Sequence, residues 1–368
     1  MPPSLKLLAD DLTGALDTSA EFVGLFGPLD VFWAIDAIPA DRDRFSIDSG
    51  TRELGSAAAF AIVQELAPRL VGAAIAYKKI DSLLRGPWVA ELDACLRTGH
   101  WNACIVAPAF AYQGRRTRAG QQYAMASDGH WSAVGKTIIE QIRAHGLEAR
   151  LGDPAAALQP AISVFDAETD EDLDRVVQIG RRHPGTVLWC GSGGLASALA
   201  RGTDVGLSAT LRRPVLGVFG SDHPATAAQL ARCESILVQI ADVRSSLDRI
   251  TQRLKDGIVL VKLEVPGAAS RGDAARHFAR EIMQLGRSID PPGTLLIAGG
   301  ETLKALSVAV GAGALQVSGR FEPGVPKSVI QGGSWAGVDV ISKSGAFGPS
   351  DLWWKLLRQN GLIQDGLI

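Results

Sequence analysis

Short apolar runs alternate with longer amphipathic stretches along the first half of the chain. The apolar runs have the length and composition of buried strands. They are LKLLA (5–9), LDVFWAI (29–35), VGAAIAYKKI (71–80), ACIVAPA (103–109) and TVLWC (186–190). Helical periodicity falls between them, at 12–26, 55–69, 88–97, 134–145 and 170–182. This alternation predicts a parallel sheet with helices on both faces.

The same rhythm starts again in the second half. The candidate strands are PVLGVFG, SILVQI, GIVLVKLEV, TLLIAGG and VDVISKSG, with helical patterns at 273–286 and 301–310. Between the halves, RGTDVGLSATLRR (201–213) is polar and has no periodicity, which is typical of a linker. A chain of 368 residues also exceeds what one core usually organises. We therefore predict an α/β protein of two domains, 1–205 and 206–368. Each would be a mainly parallel sheet flanked by helices, with an active-site cleft between them.

Composition and charge narrow the classes of partner. The net charge of −2 gives no global field to attract nucleic acid or an anionic membrane. The four cysteines lie far apart without a CxxC motif, which argues against a zinc cage or a disulfide framework. No apolar run approaches the roughly 18 residues of a membrane span, and Asp10 and Asp11 interrupt the first run, unlike a signal peptide. We expect a cytoplasmic protein with small-molecule partners, bound to neither nucleic acid nor membrane.

Charged side chains are concentrated in the strand-to-helix turns of the first half. In open α/β sheets, ligands bind at the carboxyl ends of the strands, where such turns lie. Carboxylates accept hydrogen bonds from hydroxyl groups, and an arginine can hold a carboxylate through two bonds. The turns ADDLTG (9–14), KKIDSLLRG (78–86) and APAFAYQGRRT (107–117) therefore predict a site for a small, hydroxylated anion. They supply Asp10, Asp11, Lys78, Lys79, Asp81, Ser82, Arg85, Arg115 and Arg116.

The corresponding turns of the second half are rich in glycine instead. They are GSD (220–222), GGET (299–302) and KSGAFG (343–348). Backbone amides exposed at a helix N-terminus or in a glycine loop favour phosphate groups. The two halves are thus expected to contribute differently, one through side chains and the other through the backbone.

Each of these residues also has a simpler structural explanation. Asp11 could cap a helix, although capping explains only one of two adjacent aspartates. Gly299 and Gly300 could form a tight turn, and Arg85 or Arg115 taken alone could be a surface charge. The tryptophan pair 353–354 is more typical of core or interface packing than of a stacking platform. No metal-ligand spacing joins His130, His183 and His223.

Two known motifs are approached but not matched. GHWSAVGKT (129–137) resembles a P-loop, but His130 occupies the position that must be glycine in GxxxxGK[ST]. Aspartyl phosphatases follow their first strand with Asp-x-Asp, whose first aspartate is the nucleophile. Here the second required aspartate would fall on Leu12 or Thr13. Both interpretations are rejected.

Taken together, the turns resemble those of the four-carbon acid sugar kinases. The motifs are ADDLTGALD, IDSGTR, KKIDSLLRG, APAFAYQGRRTRAG, GSGGLA, GSD, GGET, PGVP and KSGAFG, and they occur in order over nearly the whole chain. The resemblance implies an N-terminal domain that binds a short sugar acid and a C-terminal domain that binds ATP. It implies phosphorylation of a hydroxyl of threonate, erythronate or a 3-oxo-tetronate.

The resemblance also assigns residues to each ligand. The sugar acid is assigned Asp10, Asp11, Gly14, Arg52, Asp81, Ser82, Arg85 and Arg115. ATP is assigned Ser221, Gly299, Gly300, Glu301, Thr302 and Gly345, with Gly193 and Gly348 as additions. The chain departs from the family pattern at Leu83, at Trp88-Val89 and in a shortened stretch after Gly120.

Phosphoryl transfer itself predicts the mechanism, because its loose transition state depends on positioning and charge neutralisation. We expect Asp11, or failing that Asp81, to act as general base, Arg85 and Arg115 to hold the acid's carboxylate, and Mg²⁺ to accompany ATP. Asp10 acting through metal-bound water stays open, and no metal ligands are assigned. The alternatives are a non-catalytic sensor of the same ligands and a kinase for a branched or longer sugar acid. The tryptophan pair favours a homodimer.

Overall fold

The computed structural model describes residues 4–126, 128–203, 210–220, 223–264 and 271–364, except for the side chains of 271–275. The chain divides into two compact units, Met1–Asp204 and Val205–Ile368. The sequence prediction of two α/β halves, each built on a mainly parallel sheet, is confirmed as a fold. Ser221, which was assigned to ATP, lies outside the described residues.

The N-terminal unit is built around an eight-stranded parallel sheet of order β2-β3-β1-β4-β11-β5-β10-β9. A separate antiparallel sheet, β6-β7-β8, follows β5. The strands are β1 (Leu5–Ala9), β2 (Leu29–Phe32), β3 (Arg44–Asp48), β4 (Ile75–Lys79), β5 (Ala103–Ala107), β6 (Arg115–Arg118), β7 (Gln121–Met125), β8 (Trp131–Ala133), β9 (Ala149–Leu151), β10 (Ile162–Val164) and β11 (Val187–Gly191). The helices are α1 (Leu12–Phe26), α2 (Ser56–Leu66), α3 (Trp88–Leu96), α4 (Ile138–Ala144), α5 (Asp170–Arg182) and α6 (Gly193–Leu199).

The C-terminal unit contains a seven-stranded sheet of order β13-β14-β12-β15-β18-β17-β16, in which β17 runs antiparallel to both neighbours. Its strands are β12 (Val215–Phe219), β13 (Leu237–Ile240), β14 (Ile258–Leu263), β15 (Thr294–Ala298), β16 (Ala314–Glu322), β17 (Val325–Gln331) and β18 (Asp339–Lys343). Its helices are α7 (Pro224–Ala231), α8 (Val243–Lys255), α9 (Arg271–Ser288), α10 (Gly300–Ala309) and α11 (Leu352–Gln359).

The burial of β1 and the capping of α1 fix the backbone on either side of Asp10 and Asp11. β1 is buried except at Lys6, which is partly buried, and this fits a central strand of a parallel sheet. Asp11 then caps α1 by accepting a hydrogen bond from the amide of Gly14. The helix ends at Gly27, whose φ of 75° is readily adopted by glycine. The side chains just after β1 are therefore held at the carboxyl edge of the sheet.

The tryptophan pair lies on α11 and serves mainly in packing. Trp353 is fully buried, and its ring meets Phe219 edge-on with centroids 5.6 Å apart. Trp354 is partly buried, and the guanidinium groups of Arg232 and Arg358 lie over its ring. Trp353 therefore belongs to the core, and the homodimer stays a prediction without support from that residue.

Several elements differ from the sequence expectation. The hairpin of β16 and β17, the small sheet and β3 were not predicted, because their mixed apolar and polar positions lack a long apolar run. The helix expected at 134–145 begins only at Ile138, where Thr137 and Glu140 form a capping box. Among the described helices, none has the length and apolar character needed to cross a membrane.

Candidate active site

Asp10 and Asp11 share one arginine at the carboxyl end of β1. Arg52 binds Asp10 through two parallel bonds, from Nε to Oδ2 at 2.8 Å and from Nη2 to Oδ1 at 2.7 Å. Its Nη1 donates to Oδ2 of Asp11 at 2.5 Å. Two adjacent carboxylates would repel each other when buried, so the shared guanidinium is what allows both to lie here. The doublet is thus more than a helix cap.

A glycine provides the space in which this group is packed. A Cβ atom at Gly14 would lie 2.6 Å from Oδ1 of Asp11 and 2.9 Å from Nζ of Lys79. Any larger residue would have to displace the capping carboxylate or the lysine. Gly14 therefore lets the first turn of α1 approach both charged groups closely.

Asp81 and Arg85 form a second charged pair in the turn after β4. Arg85 binds Asp81 from Nε at 2.9 Å and from Nη2 at 2.7 Å, and Asp81 also accepts from the amide of Leu83 at 3.0 Å. Nη2 of Arg52 lies 3.8 Å from Oδ1 of Asp81, so the two pairs adjoin. Leu84 adopts a left-handed φ of 56°, which is strained for a non-glycine residue and is typical of functional turns.

The position of Leu83 bears on its departure from the family pattern. The bond from residue 83 to Asp81 comes from the backbone amide, so it does not depend on which side chain stands there. The turn that holds Asp81 and Arg85 therefore forms with leucine at this position.

The charges give the carboxylates different acidities. Burial is the main cause that raises the pKa of Asp11 to about 6, and the charge of Asp10 adds to it against the lowering effect of Arg52. Burial acts on Asp10 in the same direction, but the charge and bonds of Arg52 outweigh it and hold the pKa of Asp10 below its usual value. The pKa of Asp81 is lowered too, because its bonds with Arg85 and the charge of Arg52 outweigh its burial. Of these three carboxylates, Asp11 is the one whose pKa suits a general base near neutral pH.

A buried network supports the loop that carries Arg52. Lys78 and Glu91 are both fully buried, with Nζ and Oε2 2.7 Å apart. Thr51 donates to Oε1 of Glu91 at 2.6 Å, and its own amide donates to the carbonyl of Asp10 at 3.0 Å. Residues at the ends of β4 and in α3 thus fix the backbone immediately before Arg52.

The remaining predicted residues of the N-terminal unit lie beside these pairs. Arg115 donates through Nη1 to the carbonyls of Gln113 and Gly114, at 2.7 and 2.9 Å, while its buried Nε has no acceptor among the described residues. Burial lowers the pKa of Arg115. The charge of Asp81 acts in the opposite direction, and the charge of Arg85 adds to the lowering. The carbonyl of Ser82 accepts from Gln122 at 2.8 Å.

Two further side chains lie in this region: Lys79, which was predicted among the turn residues but not assigned to a ligand, and Asp17, which was not predicted. Lys79 is 5% exposed, and its charge lowers the pKa of Asp11 and of Asp17, a buried residue of α1. Burial raises the pKa of Asp17 to about 6. The sequence signal for Lys79 was its place at the carboxyl end of a predicted strand, and Lys79 is indeed the last residue of β4. The only sequence signal for Asp17 was that a carboxylate falls on the predicted buried face of α1.

The predicted nucleotide residues of the C-terminal unit lie in two turns. Gly299 precedes α10 with a φ of 105° that favours glycine, and no side chain caps this helix. Thr302 is buried in its first turn, and Glu301 is exposed. Gly345 and Gly348 lie in the loop after β18. By contrast, Gly193 lies in the N-terminal unit, where a Cβ would come within 2.8 Å of the Phe110 ring, so close packing accounts for that glycine.

The carboxylates of the N-terminal unit do not form a ready magnesium cage. Both oxygens of Asp10 accept from Arg52, and both oxygens of Asp81 accept from Arg85. The described part of the chain holds no group of three or more residues suited to binding a metal ion. Mg²⁺ commonly binds through substrate phosphates, waters and one or two carboxylates.

Comparison with known families matches both units. A family model described as a sugar-binding N-terminal domain matches residues 5–141, and one described as a nucleotide-binding C-terminal domain matches residues 216–352. A curated D-threonate kinase of Bordetella bronchiseptica is 31% identical over 95% of this chain and 96% of its own. A D-erythronate kinase of Heliobacterium modesticaldum is 25% identical and is covered to 95% in both chains.

Solved structures agree on the fold. A crystal structure from Salmonella typhimurium LT2 has a TM-score of 0.76 at 19% identity and covers 96% of this chain and 99% of its own. One from Haemophilus influenzae has a TM-score of 0.71 at 17% identity, with coverage of 96% and 100%.

Fold, charged site and relatives together define the class of protein as a carbohydrate kinase. More narrowly, the chain belongs to the four-carbon acid sugar kinase family, as the order of its turn motifs predicted.

Proposed function

We propose that this protein transfers the γ-phosphoryl group of ATP to a hydroxyl of a four-carbon sugar acid such as threonate, erythronate or a 3-oxo-tetronate. The observation that carries the proposal is the pairing of Asp10 and Asp11 with Arg52 beside the Asp81–Arg85 pair. This site lies within the residues matched by the sugar-binding model. Relatives of nearly full length that are named D-threonate and D-erythronate kinases support the choice of acid.

In this proposal the N-terminal domain, predicted as 1–205, holds the acid. Arg85 is more than half exposed beyond its bonds with Asp81, and Arg115 has a buried Nε without an acceptor among the described residues. These two guanidinium groups would bind the acid's carboxylate, while Asp10, Asp11 and the Ser82 turn contact its hydroxyls. Lys79 adds positive charge at the base of the site.

Asp11 would act as the general base. A carboxylate with a pKa of about 6 is ionised at neutral pH and still accepts a proton from the attacking hydroxyl. The hydroxyl oxygen forms a bond to the γ-phosphorus as the bond to the β-phosphate oxygen breaks, ADP leaves, and the hydroxyl proton passes to Asp11. Arg52 stabilises the charged form of Asp10 throughout. Asp81, held ionised by two arginines, would orient Arg85 rather than accept the proton.

The C-terminal domain, predicted as 206–368, would hold the nucleotide. The backbone around Gly299 and Gly300, the first turn of α10 with Glu301 and Thr302, and the loop at Gly345 would contact its phosphates. Ser221 is expected to join them. Mg²⁺ bound with the nucleotide would neutralise phosphate charge, and ATP is the expected donor because the matched domain is a nucleotide-binding one.

A coupled assay of ADP release, run over a panel of four- and five-carbon aldonic and 3-oxo-aldonic acids, tests the proposal. We expect turnover that requires both ATP and one four-carbon acid. If only a longer or branched acid were turned over, the protein would still be a kinase, but the proposed four-carbon substrate would be wrong. Binding of an acid and ATP without release of ADP would overturn the kinase function in favour of a sensor.

A further inference from the structure

The loop that follows β18 is held to α7 by three buried side chains. Lys343 donates from Nζ to the carbonyls of Ser344 and Gly345, at 3.0 and 3.2 Å. Thr226 donates to the carbonyl of Gly345 at 2.8 Å. Nε2 of Gln229, one turn further along α7, shares its two hydrogens among the carbonyls of residues 347, 348 and 349, which lie 3.1, 3.1 and 2.9 Å away. Five loop carbonyls therefore lie within hydrogen-bonding distance of these three side chains.

The positions of these carbonyls determine where the backbone amides of the same loop point. In a trans peptide, the C=O of one residue and the N–H of the next point in opposite directions. Because the carbonyls of Ser344, Gly345 and Phe347 are turned toward the three side chains, the amides of residues 345, 346 and 348 are turned away from them. None of these three amides has an acceptor among the described residues. Amides aligned in this way bind anions, phosphate in particular.

We propose that Lys343, Thr226 and Gln229 are positioning residues for the nucleotide. They hold the loop 344–349 so that its amides face the phosphates. This inference rests on the proposed function, since it assumes that the nucleotide binds at this loop. None of the three was among the predicted ATP residues, and none needs to touch the ligand.

Burial and charge at Lys343 support this role. The side chain is 1% exposed, and no carboxylate among the described residues pairs with it. Burial lowers the pKa of Lys343 to about 7. Burying a lysine without a paired acid costs free energy that hydrogen bonds must offset, and the bonds of Lys343 to two loop carbonyls provide that offset. Thr226 completes the cluster, since its hydroxyl also lies 3.3 Å from Nζ of Lys343.

The test compares Thr226→Val with Thr226→Ser in the full-length protein. Valine keeps the shape but removes the hydroxyl, whereas serine keeps the hydroxyl. Calorimetric titration with a non-hydrolysable ATP analogue should show at least about tenfold weaker binding for valine, about 1.4 kcal/mol, and near wild-type binding for serine. The KM for the sugar acid should stay unchanged in both. Ser328→Ala removes a buried hydroxyl of the same unit and should leave both constants unchanged.

Each outcome decides between the hypotheses. If wild type and Thr226→Val bind the analogue equally, or if valine weakens analogue and acid alike, the positioning role is wrong. If wild type binds no analogue at all, the proposed function fails first. Should valine prevent folding, Gln229→Met is measured instead with the same expectation. If Gln229→Met and Lys343→Met also fail to fold, the three residues maintain the core, and the inference is overturned.

Discussion

The N-terminal unit arranges charged side chains around its candidate site, whereas the C-terminal unit arranges backbone amides. In the first, Arg52 and Arg85 fix three carboxylates that would otherwise repel each other. In the second, buried side chains donate to loop carbonyls, and we propose that this leaves the neighbouring amides free to bind phosphate. A side-chain site can discriminate between hydroxylated acids through individual groups, while a backbone site recognises the phosphates that all nucleoside triphosphates share. Substitutions should therefore affect the two units in different ways.

Removing the shared cation should have the largest effect. Arg52→Met leaves the buried carboxylate of Asp10 beside the partly buried one of Asp11 and raises the pKa of Asp11 further. We expect a loss of about 3–5 kcal/mol in the free energy of unfolding, as for other broken buried pairs. We also expect kcat/KM to fall at least about a thousandfold. Urea unfolding and steady-state kinetics measure both.

Arg42→Met is the matched control for that substitution. Arg42 pairs with Asp30 at 2.8 Å but is about half exposed, at 47%. An exposed pair contributes at most about 1 kcal/mol, so stability and activity should change little. Equal losses in both variants would show that the position of Arg52 has no special importance.

Removing the proposed base, Asp11, should have the second largest effect. Asp11→Asn keeps a hydrogen-bond acceptor for Gly14 but cannot take a proton. We expect single-turnover phosphorylation to slow by about 10²–10⁴-fold, with unchanged affinity for ATP. A rate within about tenfold of wild type would exclude Asp11 as the base. Asp81→Asn is the companion variant, and it should instead raise the KM for the acid because Arg85 loses its partner.

Replacing one glycine in each unit should affect the binding of one ligand without affecting the other. Gly300→Val should weaken ATP binding at least about tenfold by placing a branched side chain at the first residue of α10, and it should leave acid binding intact. Gly14→Ala should do the reverse, because its Cβ would crowd Asp11 and Lys79. Titrations of each variant with each ligand measure the effects, with thermal melts to confirm folding. Unchanged ATP affinity in Gly300→Val would remove that turn from the site.

The smallest expected effect is on the pH dependence. A base whose pKa is raised to about 6 loses its proton as the pH rises. The logarithm of kcat/KM should therefore rise with a slope of one below pH 6 and level off above it. Between pH 5 and 7 the ionised fraction of such a group grows about tenfold. Asp10 and Asp81, whose pKa values are lowered, stay ionised over this range and should add no step. A flat profile would count against Asp11.

Sequence reasoning located the strand ends but not the pairings between them. β1 and α1 were predicted with their observed bounds, because a short apolar run followed by a capping aspartate is a strong local signal. The pairing of Arg52 with Asp10 and Asp11 joins residues about forty positions apart, and no local pattern encodes it. The same holds for Thr226 and Gln229, which look like ordinary helix residues until the loop 344–349 is seen against them.

The buried pair of Lys78 and Glu91 constrains how this chain can change over evolution. Losing either partner alone would leave a buried charge and cost about 3–5 kcal/mol, whereas replacing both by apolar residues of similar volume can be neutral. A lineage cannot easily pass through the single-substitution intermediate. Since Thr51 binds the same glutamate, the double replacement would also loosen the loop that carries Arg52. Positions 78 and 91 should therefore be inherited together, and their joint loss should accompany loss of the charged site.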